Sequence, residues 1–93
     1  MPQALFALLY DYVPDVLERR APYRDAHLAL LRGLYDAGIV VMAGATGDPV
    51  DGALLIFRSE TAQAVHDFVA ADPYRAAGLV AFSRVVPWAV SVP

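Results

Sequence analysis

The chain contains no cysteine and no lysine, and only two of its 93 residues are histidine. Without cysteine there is no disulfide framework, no thiolate nucleophile and no sulfur-bound zinc site. His27 and His66 lie far apart in the sequence, so a histidine-based metal cluster is not expected either. Charge is scarce as well: ten acids against seven arginines leave a net −3, and charged residues make up only 18%. Gripping a polyanion requires clustered cations. The one local basic pair here is Arg19-Arg20, beside Glu18, so nucleic acid is not an expected partner. No apolar run approaches the ~20 residues that span a bilayer. The start, Met1-Pro2-Gln3, lacks the basic region and long apolar core of a secretion signal. The expectation is a soluble cytoplasmic protein with no membrane partner.

What the chain has in excess is hydrophobic surface, 58% of its residues, where average soluble domains hold about 45–50%. A chain of 93 residues is too short for two independent cores, so residues 1–93 read as a single domain. That domain carries more apolar surface than so small a globule can easily hide.

The pattern along the chain says where the excess goes. Ala4–Tyr10 is an apolar run that ends at Asp11 and is short enough for a buried strand. Pro14 opens a helical turn or two over Asp15–Arg20. Pro22–Ala37 has helical periodicity, and Gly38 suits the position that ends a helix. Ile39–Ala43 and Ala53–Phe57 read as strands joined by a loop of turn residues, Gly44–Gly52. Ser59 is the expected N-cap of a helix running to about Ala71. Asp72 then caps a short turn with Pro73 in its first position and Gly78 closing it. Leu79–Val92 is the last strand, and Pro87 in it favours a sheet edge or a bulge. The order β-α-β-β-α-β defines an α+β, ferredoxin-like sheet, with both helices on one face by the right-handed crossover rule.

A sheet solvated on one face alternates apolar and polar residues. These strands do not: Leu5, Phe6, Leu8 and Leu9 occupy both faces, as do Leu54 through Phe57 and Val85-Val86. Two helices cover one face only. The expected cover for the other is a second copy of the sheet, giving a homodimer packed sheet to sheet, a dimeric α/β barrel.

Chemistry has few places to sit. At about 100° per residue, His27 falls in the middle of the long helix's apolar stripe, with Tyr23, Leu30, Leu31 and Leu34 around it. Two readings stay open from the pattern: a core histidine bonded to a carbonyl, or an imidazole sheltered in a cleft and tuned for acid–base work. His66 lies off the stripe of its helix, beside Asp67, and reads as solvated. An imidazole needs a partner to fix its tautomer. Asp72 is the best candidate, one carboxylate oxygen capping its turn and the other free to face a ligand. Asp48 and Asp51 read as turn residues. Arg24 borders the same stripe, placed to bridge an acid or to hold a substrate carboxylate or oxyanion. Arg24, Tyr10 and Tyr74 are the candidate substrate-binding residues, and His27 and Asp72 the candidate catalytic pair. Gly44-x-x-Gly47 lies between two strands and does not form a phosphate loop.

Arg24-Asp-Ala-His27-Leu, Ala43-Gly44, Ala71-Asp72-Pro73-Tyr74-Arg75-Ala-Ala-Gly78 and Val86-Pro87-Trp88, in this order, resemble the YCII-related (YciI-like) proteins. The likeness spans nearly the whole chain. It implies a ferredoxin-like α+β fold, a sheet-to-sheet dimer, and an active-site pair that falls on His27 and Asp72. The hairpin Gly47–Gly52 is compact where many relatives carry a longer loop. The functional expectation is a small enzyme with no cofactor and no metal. Its His–Asp pair would perform isomerisation or elimination on a small, partly apolar substrate, cyclic ones included. The alternative is a non-catalytic dimeric module that binds a small ligand or supports a partner. Analogy with other dimeric α/β barrels adds cofactor-free oxygenase action on quinols.

Overall fold

β1, Ala4–Tyr12, lies between two neighbours in a four-stranded antiparallel sheet of order β2-β3-β1-β4. The other elements of the computed structural model, which describes residues 3–93, follow in chain order. They are α1 (Val16–Arg19), α2 (Ala21–Asp36), β2 (Val40–Thr46), β3 (Gly52–Ser59), α3 (Gln63–Ala71), α4 (Pro73–Ala76) and β4 (Val80–Trp88). This is the ferredoxin-like α+β arrangement. Strand β4 has a neighbour on one side only, and Pro87, which has no N–H to donate, lies on it opposite Phe6.

The register sorts the strands' apolar residues between two faces. Phe6, Leu8 and Tyr10 pair with Phe57, Leu55 and Ala53 and form the buried core with Val40, Val65 and Phe68. Leu30, Leu31 and Leu34 of α2 and Val69 of α3 pack against that same cluster, so both long helices cover one face. Each large apolar side chain buried there stabilises the fold by about 1.5–3 kcal/mol. Two register shifts keep the sorting intact. Val41 is the extra residue between Val40, which is buried, and Met42, which is exposed; Ala81 plays the same part opposite Asp11 and Tyr12. The face turned from the helices carries Met42, Leu54, Phe82 and Trp88, which are 65%, 40%, 64% and 45% exposed.

Several boundaries differ from the sequence expectation. The expected loop Gly44–Gly52 shrinks to five residues, because Gly44, Ala45 and Thr46 pair with Leu54, Ala53 and Gly52. A ladder needs backbone groups, not apolar side chains. Ser59 ends β3 and does not cap a helix; α3 begins at Gln63, whose N–H donates to Thr61 Oγ1 at 3.2 Å. β4 stops at Trp88 rather than Val92. Tyr23, expected in the buried stripe, is 40% exposed. It belongs to the first turn of α2, while the leucines packed on the core lie further along. Among the described residues no helix is long and apolar enough to cross a membrane.

Gly38 and Gly78 end α2 and α4 in the left-handed region, at φ 79° and 76°. In each case the following N–H reaches back five residues, Ile39 to the Leu34 carbonyl and Leu79 to that of Tyr74. A Cβ on Gly38 meets open space, as does one on Gly33 inside α2. The two therefore isolate backbone effects of opposite sign. Gly38→Ala is expected to lower stability by about 1 kcal/mol. Gly33→Ala is expected to raise it by about 0.5–1 kcal/mol, both read from urea unfolding.

Candidate functional site

Pro73 organises the site from the backbone. A proline disfavours helical dihedrals in the residue before it, and Asp72 is extended, at φ −70° and ψ 119°. Asp72 therefore ends α3 and caps α4, with the Tyr74 N–H donating to its Oδ1 at 3.0 Å. The same turn carries the Tyr74 ring inward, where Val16 and Leu79 pack around it.

Asp72 is 1% exposed, and its carboxylate accepts three hydrogen bonds. Besides the Tyr74 amide, His27 Nδ1 lies 2.7 Å from Oδ1 and the Tyr10 hydroxyl donates to Oδ2 at 2.8 Å. An ionised carboxylate only accepts, so the hydrogen of a neutral His27 sits on Nδ1. That leaves the Nε2 lone pair as the basic nitrogen, a tautomer set by the second partner. The imidazole is the one buried side chain of α2. It stacks on the Tyr74 ring at 3.8 Å between centroids and 4° between planes, and its edge meets Phe68.

A cavity of about 200 Å³ opens beside this pair, between α2 and the β2–β3 half of the sheet. Its polar wall is Tyr12, Arg20, Arg24, His27 and Tyr74; its apolar floor includes Leu28, Leu31, Ala45, Ala53 and Leu55. The Tyr74 hydroxyl is buried and without a hydrogen-bond partner. Burial first, then the charge of Asp72 and the hydrogen bond to it, push the Tyr10 phenol far above its ordinary value. Burial and Asp72 push Tyr12 up too, while Arg20 and Arg24 pull the other way. Both phenols therefore stay protonated across the physiological range.

His27 and Asp72 come together, and Arg24 and Tyr74 line the same cavity. Tyr10 does not line it; its hydroxyl is taken up by Asp72. Nor does Asp72 keep an oxygen free for a ligand, since both are bonded within the protein. His66 is exposed, and Asp48 and Asp51 belong to the β2–β3 hairpin loop and do not line the cavity. Arg24 has no carboxylate within ion-pair distance among the described residues. Tyr12 and Arg20 escaped the sequence reading. For Arg20 a signal existed: residues 20, 24, 27, 28 and 31 share one helical face and all line the cavity. Tyr12 follows Tyr10 by two residues, on the same side of an extended strand.

With this geometry in place the chain can be set beside known proteins. It belongs to the YCII-related domain family, whose model matches residues 4–89. Protein YciI of Escherichia coli O6:H1 is 36% identical over 93 residues, spanning 90% of this chain and 95% of that protein. An uncharacterized protein of Haemophilus influenzae is 33% identical over 92 residues, covering 89% of this chain and 94% of its own. Among solved structures, the 5-chloro-2-hydroxyhydroquinone dehydrochlorinase TftG of Burkholderia phenoliruptrix AC1100, in complex with 2,5-dihydroxybenzoquinone, superposes with a TM-score of 0.77. It shares 32% identity and is covered over 93% of its length by 91% of this chain.

The raised Tyr10 pKa has a consequence for stability. Above its ordinary value of 10.0 the unfolded chain has released a proton that the folded chain retains. Stability then falls with rising pH, by about 1.4 kcal/mol per pH unit for one such tyrosine. Tyr10→Phe is expected to be less stable at neutral pH by roughly 1–3 kcal/mol, since a buried carboxylate oxygen loses its donor. It is also expected to show a shallower alkaline decline, measured by urea unfolding at a series of pH values.

Proposed function

We propose that this protein is a cofactor-independent enzyme in which His27 and Asp72 perform general acid–base chemistry on a small, partly apolar ring substrate. The observation that carries the reading is the 2.7 Å bond from His27 Nδ1 to a fully buried carboxylate, which leaves Nε2 the basic nitrogen of a side chain that lines a cavity. Nε2 takes a proton from a substrate C–H or O–H. The electron pair left behind moves into the ring system, either onto a carbonyl oxygen or outward with a leaving group. The imidazolium formed is stabilised by Asp72 and returns its proton to another substrate atom, completing an isomerisation, or to solvent after an elimination. Similarity to a dehydrochlorinase of the same fold at 32% identity supports the elimination branch. Tyr10 acts as a positioning residue, holding the second carboxylate oxygen so that the first stays aimed at His27.

The test is proton exchange and turnover over a panel of small hydroxylated rings, 5-chloro-2-hydroxyhydroquinone included, followed by NMR in deuterated buffer. His27→Gln is expected to lower the rate by roughly 10²–10⁴ while ligand affinity stays close to wild type. Asp72→Asn should lower it as well, because an amide no longer favours the Nδ1–H tautomer. A His27→Gln protein as fast as wild type would overturn the assignment. Changed binding with no turnover by the wild-type protein favours the binding-module alternative.

We also infer a homodimer that pairs the faces turned from the helices. Four large exposed apolar side chains on one sheet face support it, since apolar patches of that kind are rare on monomers. Phe82→Asp and Leu54→Asp, both at exposed positions, should shift the protein to monomer in native mass spectrometry with the fold retained. A dimer undisturbed by either change would rule out this face.

A further inference from the structure

We infer that the cavity contains an anion subsite, formed by Arg20, Arg24 and the hydroxyl of Tyr12, which selects single-ring substrates bearing an ionised oxygen group. The inference rests on the cavity being the substrate site proposed above and adds the charge and size of what enters it.

The electrostatics of α2 point this way. Arg20 stands at its N-cap and Arg24 one turn on, and the first turn holds no acidic residue. Cations at a helix N-terminus oppose the macrodipole, and like charges four residues apart repel. Arg19 next door shows the ordinary solution, an ion pair with Asp15 at 3.5 Å. Neither Arg20 nor Arg24 has such a partner among the described residues. Asp72 does not serve, because its oxygens are engaged by Tyr10, His27 and Tyr74. An anion in the cavity would relieve all these costs at once.

A second observation stands apart from the helix. Tyr12 of β1 lines the same cavity as the two arginines, and the charges of both Arg20 and Arg24 act on its phenol. Tyr12 stays protonated, so it meets an anion as a donor rather than as a second negative charge. Size sets the remaining limit. An apolar cavity of about 150 Å³ holds benzene, so about 200 Å³ holds one six-membered ring with a few small substituents. The parallel His27–Tyr74 pair adds planar aromatic surface to the wall. A carboxylate on the ring and an ionised enol or phenol present the same chemistry to two guanidinium groups.

Calorimetric titration of the full chain with benzoate and with 4-nitrophenolate, against neutral benzamide and nitrobenzene, tests the subsite without any need for turnover. At least one anion is expected to bind about tenfold more tightly than its neutral counterpart, and to weaken with added salt. Whichever anion binds tighter identifies the oxygen group. Arg20→Gln with Arg24→Gln should abolish the preference, read as the ratio of anion to neutral affinity within the same variant. Arg24 is exposed, so Arg24→Gln alone reads a partial loss if the double variant fails to fold. Equal binding of anions and neutral isosteres, or a folded Arg variant that keeps the preference, would overturn the proposal. His27→Gln separates the two readings. Anion preference kept with turnover unchanged sinks the acid–base assignment alone; preference absent beside His27-dependent turnover sinks the subsite alone.

Discussion

The buried Asp72 carboxylate constrains the rest of the structure. Taking an ionised carboxylate out of water costs several kcal/mol unless donors replace the lost hydration. Here the donors come from three elements: the Tyr10 hydroxyl of β1, the His27 imidazole of α2 and the Tyr74 amide of α4. Tyr10 and His27 stand 62 and 45 residues away along the chain. Satisfying one carboxylate therefore fixes the depth of α2 over the sheet, the facing of β1 and the angle at which the chain leaves α3.

The same constraint distributes chemistry. Because Asp72 claims Nδ1, Nε2 is the basic nitrogen of an imidazole that lines the cavity. Because Tyr74 donates its amide to that carboxylate, its ring is held parallel to the imidazole at 3.8 Å. Asp72 does not line the cavity, whereas Arg20 and Arg24 do and have no carboxylate within ion-pair distance among the described residues. A substrate would meet a base, a planar aromatic wall and a cationic rim in fixed relation, which is what orientation effects in catalysis require.

How much of this the sequence disclosed depends on whether one element sufficed to encode it. The helical period placed His27 inward, and the Asp72-Pro73 capping logic placed the carboxylate, because both are local rules. The β-α-β-β-α-β order and the edge position of Pro87 followed from strand chemistry in the same way. The failures are tertiary. Tyr23 fits the apolar stripe of α2 yet is half-exposed, since no period reveals which turns of a helix lie over the core. The hydroxyl of Tyr10 finds Asp72 only through the pairing of β1 with its neighbours, so nothing local distinguished it from a substrate contact. Hairpin residues Gly44–Thr46 look like a loop because their side chains are small, but their pairing with β3 depends only on backbone groups. Arg20 was hidden by its adjacency to Arg19; only the helical face it shares with Arg24 and His27 separates the two roles.

The surplus of apolar residues resolves into two allotments that the strand register keeps apart. On the helix side, β2 and β3 taper from large to small: Val40 opposite Phe57, then Ala43 opposite Leu55, then Ala45 opposite Ala53. The large pairs fill the core, and the small ones leave the space that the cavity occupies. On the other side the same strands carry Met42 and Leu54, which are exposed, and Ile56, which is buried. A slip of one residue would exchange the two faces wholesale, emptying the core and filling the cavity. The bulge at Val41 prevents that exchange at the edge strand, where a single neighbour enforces the register least. Cavity and outer face are thus alternate positions of the same strands, so a substitution at an outer-face position changes that face without placing a new side chain in the cavity wall.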